Sequence, residues 1–152
     1  MKFEQLIAEF SKETGLDVKP DSQGTLWLEA DGVPVTIQSR PEHNDAIAFT
    51  LPIGDMAIDE PIMRHALELS AVGIGTDGFF LGISNGAMTL SAVLPLDGLD
   101  TETFGKKMLA LAAATRKVAV RIGSTVADEC ASRHETEKDL NEFCSNQSMY
   151  RV

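Results

Sequence analysis

Three groups of residues in this 152-residue chain have types and spacings that could do chemistry. Gly73-Ile74-Gly75-Thr76-Asp77-Gly78 fits G-x-G-x-x-G, whose glycines let backbone amides and a helix N-terminus meet a phosphate. That chemistry needs a strand before the glycines and a helix after them. Here the order is reversed, and Asp77 adds a negative charge, so the motif reads as a helix stop and loop. Gly82-Ile83-Ser84-Asn85-Gly86 fits the G-x-S-x-G nucleophile elbow, which needs a strand-to-helix turn, an oxyanion hole and a downstream acid and histidine. Asp97, Asp100 or Asp128 with His134 would nominally complete a triad. Asn85-Gly86, however, lies between two strand-like runs, which makes Ser84 a hairpin residue with no helix behind it.

The third group is Cys130, His134 and Cys144. Cys130 and His134 stand four apart and share a face if helical, but a metal site needs further ligands at paired spacing, and none is offered. His134-Glu135 does not begin H-E-x-x-H, because position 138 is Lys. His43 and His65 read as surface or packing residues. The acids are numerous but scattered, so no acid/base couple stands out. The expectation is a protein that is not an enzyme and uses neither cofactor nor metal.

Bulk properties narrow the alternatives. The length suits one domain, and 43% hydrophobic against 24% charged residues is enough for a folded core. No apolar run approaches the roughly 20 residues that cross a bilayer, and Glu4 and Glu9 interrupt the N-terminal apolar pattern; neither membrane insertion nor a secretory signal is expected. Two cysteines provide no disulfide framework, which suits a reducing cytoplasm. A net charge of −10 repels phosphate backbones, so nucleic acid is not an expected partner. The charge is uneven: residues 1–104 hold 17 acids and 5 bases, whereas residues 105–127 hold Lys106, Lys107, Arg116, Lys117 and Arg121 and no acid. This basic stretch reads either as a solvated face answering the acidic body or as a site for an anionic partner.

The elements that carry these residues follow from periodicity. Phe3, Leu6, Ile7 and Phe10 have helical spacing, with Gly15 as a left-handed stop. Residues 25–30 and 33–39 are β-rich and flank Asp31-Gly32, a hairpin dipeptide. Pro34 lacks an amide donor and points to a sheet edge there. Residues 46–51 form a third strand with Ile47, Phe49 and Leu51 on one face. Asp59 caps a second helix, with Pro61 in its first turn, carried by Ile62, Met63, Ala66, Leu67 and Ser70 as far as Gly73. Residues 79–84 and 87–94 flank Asn85-Gly86 as a second hairpin, ended by Pro95. Asp100 caps a long last helix with a stripe of Phe104, Met108, Leu111, Thr115, Val118 and Ile122. Lys106, Lys117 and Arg121 fall on its opposite side, and Leu109, Ala113 and Val120 lie off the main stripe as a second packing surface. Beyond Cys130 the chain is polar, and a short helix and a loose tail both fit.

The stretch from Leu67 to Arg116 resembles the class I type III secretion chaperones, the Tir-chaperone-like (CesT) family. The resemblance rests on the order and spacing of Leu67-Glu68-Leu69-Ser70, Gly78-Phe79, Leu90-Ser91, Leu94-Pro95-Leu96, Leu99-Asp100 and Phe104. The N-terminal half agrees through a helix with Phe3 and Phe10 followed by three strands. The resemblance implies an α+β fold, an antiparallel β-sheet with helices packed on it in the order α-β-β-β-α-β-β-α. It places a chaperone-like domain at residues 1–131 and a polar tail at 132–152.

It also implies a function: a cytoplasmic bacterial homodimer that binds the N-terminal region of a secreted effector and keeps it soluble and export-competent without ATP. An extended client can pair with a sheet edge while its apolar side chains enter pockets. By the same resemblance the dimer surface involves Met63, Leu67, Ser70, Phe80 and Leu90. Client pockets draw on Phe3, Leu6, Ile7, Phe10, Trp27, Ile37 and Phe49, residues that an ordinary core would also contain. Trp27 differs from the rest, because Leu26 and Leu28 point the other way in a strand. Two rival readings are a regulatory adaptor that binds a non-secreted partner and a small serine hydrolase using Ser84 and His134.

Overall fold

The computed structural model describes residues 2–42, 45–54, 58–71 and 76–147, with side chains as far as Ser124. The elements run α1 (Phe3–Thr14), β1 (Thr25–Ala30), β2 (Val33–Arg40), β3 (Ala46–Pro52), α2 (Glu60–Ser70), β4 (Phe80–Ser84), β5 (Ala87–Pro95) and α3 (Thr101–Gln147). This is the α-β-β-β-α-β-β-α order of an α+β fold. His43 and Gly73 to Gly75 lie outside the described residues, as do the side chains of Asp128, Cys130, His134 and Cys144. The backbone of α3 continues as one helix through Gln147.

Local chemistry sets the boundaries. Gly15 takes φ 74° and its amide donates to the Ser11 carbonyl at 2.9 Å, closing α1. The Ile62 amide donates to Asp59 Oδ1 at 3.1 Å and the Thr103 amide to Asp100 Oδ1 at 2.7 Å, so both caps form as the sequence suggests. Asp31 and Gly32 have φ 51° and 78°, and Asn85 and Gly86 have φ 51° and 76°. These paired positive angles match the twist of two-residue hairpins.

All strand pairs are antiparallel, in the order β1-β2-β3-β5-β4, so β5 inserts between β3 and β4 and the edges are β1 and β4. β2 is therefore an internal strand, not the edge that Pro34 suggests. The β2–β3 ladder runs only from Thr36 to Arg40 of β2, leaving Pro34 beyond its end, where the missing donor costs no ladder bond.

One sheet face is packed and the other is open. Leu26, Val35, Ile37, Ile47, Phe49, Leu51 and Leu90 bury against the helices, and α3 lies across β1, β2, β3 and β5. Phe104 joins the layers: its ring is 5.0 Å from Phe10, edge-on, and 5.4 Å from Phe49. Such aromatic pairs add about 0.5–1.5 kcal/mol each beyond area burial.

Candidate protein-binding surfaces

The first surface is a groove beside α1. Past Gly15 the chain turns back along the helix, held by the Ser11 hydroxyl, which donates to the Leu16 carbonyl and accepts the Val18 amide at 3.4 Å. The groove measures about 610 Å³ and is lined by Ile7, Ala8, Leu16, Val18 and Pro20, with Glu4, Lys12, Asp17 and Lys19 among its charged residues. Leu16 is 52% exposed, a large apolar side chain left facing water.

The second surface is the open sheet face. The register puts Trp27, Thr36, Thr50, Ser91 and Phe80 in one row across all five strands. Trp27 and Phe80 stand exposed at its two ends, while Ser91 Oγ donates to Thr50 Oγ1 at 3.4 Å between them. Below Trp27, the Asp21 carboxyl accepts the Thr25 amide at 2.9 Å and the Gln23 amide at 2.8 Å. These amides hold its pKa below the usual carboxylate value, with a smaller contribution from the Trp27 side chain.

The third surface joins α2 to the edge strand β4. Met63, Ala66, Leu67, Ser70, Leu81, Ile83 and Met88 line a groove of about 260 Å³. The Ser70 hydroxyl donates to the Ala66 carbonyl at 2.9 Å, so it makes no demand on the groove. Leu67 is 69% exposed, and Met63 and Ile83 are exposed as well. The unpaired edge of β4 and this apolar strip are a template for another chain.

The residues singled out in the sequence divide accordingly. Of the seven client-pocket residues, Phe3, Leu6, Ile7, Phe10, Ile37 and Phe49 are at most 7% exposed and belong to the core, with Ile7 also reaching the α1 groove; Trp27 is 67% exposed. Of the five dimer residues, Met63, Leu67 and Ser70 line the α2–β4 groove, Leu90 is buried beneath it, and Phe80 is on the opposite face of the sheet. Leu16 and Val18 also line the α1 groove, and Leu81 and Ile83 the α2–β4 groove, beyond the residues that the family resemblance nominates. Period-two alternation places Leu81 and Ile83 on one face and Phe80 on the other, a signal available in the sequence; Leu16 and Val18, set among polar residues with no longer apolar pattern, carry no such signal.

The chemical motifs become structural parts. Gly82, Ile83 and Ser84 belong to β4, and Asn85-Gly86 is the turn into β5, so no helix follows Ser84. Thr76 to Gly78 form a turn in which Thr76 Oγ1 donates to the Phe79 carbonyl at 2.7 Å, and the chain then enters β4. Asp77 meets Lys117 Nζ at 2.9 Å, and Arg116 binds the Asp31 carboxylate. Among the described residues no three His, Cys, Asp or Glu side chains gather as a metal site would require. No described helix is long and apolar enough to cross a membrane.

A layered sheet with one open face and an apolar groove beside each of α1 and α2 has the architecture of the type III secretion chaperones. The chain belongs to the Tir chaperone protein (CesT) family, whose model matches residues 5–118. A chain of the HopA1–SchA chaperone–effector complex is 17% identical, with a TM-score of 0.62 over 77% of this chain and 92% of that one. A chain of the ExsC–ExsE complex is 22% identical, with a TM-score of 0.63 over 76% and 92%. The Yersinia pestis type III secretion chaperone SycH, solved with a fragment of YscM2, is 12% identical, with a TM-score of 0.59 over 77% and 99%. At these identities the likeness is one of fold. No curated protein sequence matches the chain.

Proposed function

We propose that this protein is a cytoplasmic bacterial chaperone that, as a homodimer, binds the N-terminal region of a secreted effector and keeps it soluble and export-competent without ATP. The observation that carries the reading is the open apolar groove beside α1 in a chain of this family. A client's apolar side chains enter at Leu16 and Val18 and its backbone follows the exposed edge of β1 past Trp27. Phe3, Leu6, Phe10, Ile37 and Phe49 support that surface from beneath, with Ile7 at the floor of the groove.

The dimer forms through α2 and β4. Met63, Leu67, Leu81 and Ile83 of one copy meet the same patch of another, as an isologous interface requires. Neither contact has a role for a nucleotide, and Gly78 leads into a strand rather than a helix.

Co-expression with the effectors of the same secretion locus tests the reading. An effector should co-purify through its N-terminal segment and be lost when that segment is removed. If none co-purifies and a non-secreted regulatory protein does, the adaptor reading replaces it.

A further inference from the structure

We infer that the outward face of α3 is a docking seam for an acidic amphipathic helix of a partner protein, separate from both the α1 groove and the α2–β4 surface. Leu109, Ala113, Arg116 and Val120 recur at steps of four, three and four, the spacing of a coiled-coil seam. At 3.6 residues per turn they lie within about 60° of one another, on the side of α3 turned away from Phe104, Leu111 and Ile122. Leu109 is 52% and Val120 71% exposed, about 16 Å apart along the axis at 1.5 Å per residue. Between them Ala110 and Ala113 are small enough to receive knobs from a second helix. Beside Arg116 the seam borders a crevice of about 320 Å³ lined by Val33, Pro34, Pro52 and Ala119, room for a larger apolar side chain.

Charge selects the occupant. Residues 105–127 contain five bases and no acid, in a chain of net charge −10. Lys106, Lys117 and Arg121 fall along one flank of the seam and Arg116 within it. Lys106 pairs with Glu102 at 2.6 Å, Lys117 with Asp77 at 2.9 Å, and Arg116 with Asp31. These pairs are solvent-exposed, and such pairs are worth about 0–1 kcal/mol, so carboxylates on an incoming helix can share or displace them. The same flank disfavours α3 of a second copy: an antiparallel pair centred on Arg116 would bring Arg116 against Arg116 and lysine against lysine. An acidic partner helix meets no such repulsion.

The test uses the full chain and two synthetic three-heptad peptides, one with Leu at a and d and Glu at e and g, the other with Lys at e and g. Self-repulsion keeps each peptide from pairing with itself. In fluorescence anisotropy at physiological salt the Glu peptide should bind about tenfold or more tightly than the Lys peptide, and L109E/V120E should lose about tenfold of that affinity or more. The double variant should keep its far-UV spectrum and still co-purify with an effector, which separates this seam from the proposed client site. Equal binding of the two peptides overturns the inference. So does Glu-peptide binding that survives L109E/V120E and disappears in L16E, which would place the peptide in the α1 groove, and so does self-association that requires Leu109 and Val120.

Discussion

β3 and β4 have similar apolar content and opposite fates. In β3 every residue is buried or half-buried, with Ile47, Phe49 and Leu51 under α3 and the Phe104 ring packed at a tilt against Phe49. In β4 four of five residues are exposed, Phe80 on one face and Ile83 on the other, and the strand forms the sheet's edge. α2, which packs beside it, buries only Ile62 and Ala66. The first region satisfies its hydrophobic side chains within the chain, whereas the second leaves them exposed. Apolar residues are thus buried in one strand and exposed in the other, and position in the sheet order decides between the two.

The largest expected effect is in the satisfied region. Phe104→Ala removes the ring between Phe10 and Phe49 and should cost about 3–5 kcal/mol of stability, read as a lower urea midpoint. A much smaller loss would mean that the layers hold together without it. In the unsatisfied region, Leu67→Glu combined with Ile83→Glu should change each protomer's stability by only about 0.5 kcal/mol, yet turn a dimer into a monomer in sedimentation equilibrium at micromolar concentration. If the assembly is unchanged, the α2–β4 strip is not the dimer surface.

Smaller effects sharpen the contrast at its margins. Gly86→Ala forces a side chain into φ 76° and should cost about 1–2 kcal/mol by strain alone, since no atom lies within 4 Å of the added Cβ. The smallest effect is acid sensitivity. The Arg116 guanidinium holds the Asp31 carboxyl, and the Thr103 amide the Asp100 carboxyl, below the ordinary value of 3.8. A depressed carboxylate contributes stability that is present above its unfolded pKa and is lost as pH falls through the folded value. The melting temperature should therefore be level above about pH 5 and decline below about pH 4, less steeply in Asp31→Asn. A variant that melts as the parent does throughout this range would remove Asp31 from the account.

Much of the fold is legible in the sequence because it rests on local rules. Asp31-Gly32 and Asn85-Gly86 make two hairpins by their tolerance of positive φ, and Asp59, Asp100 and Gly15 mark helix ends by their side-chain and left-handed chemistry. The strand order is not local: nothing in β5 itself says that it pairs with β3 as well as β4, and Pro34 reads as an edge signal until the length of the β2–β3 ladder is known. The candidate surfaces are less legible for the same reason. Alternation separates Leu26 and Leu28 from Trp27 and so exposes Trp27, but it cannot tell a core such as Phe3, Leu6 and Phe10 from a pocket, because both need apolar residues at helical spacing. Leu16 is exposed by a backbone reversal held by Ser11, a contact between residues five apart that no periodic pattern encodes.

The central claim is that the α1 groove holds the effector's N-terminal segment, and its most direct test is affinity purification of the co-expressed pair with Leu16→Glu beside the parent chain. The account expects the parent to retain the effector, and the variant, still folded and still dimeric, to lose about tenfold or more of the retained effector. Full retention by the variant would contradict it.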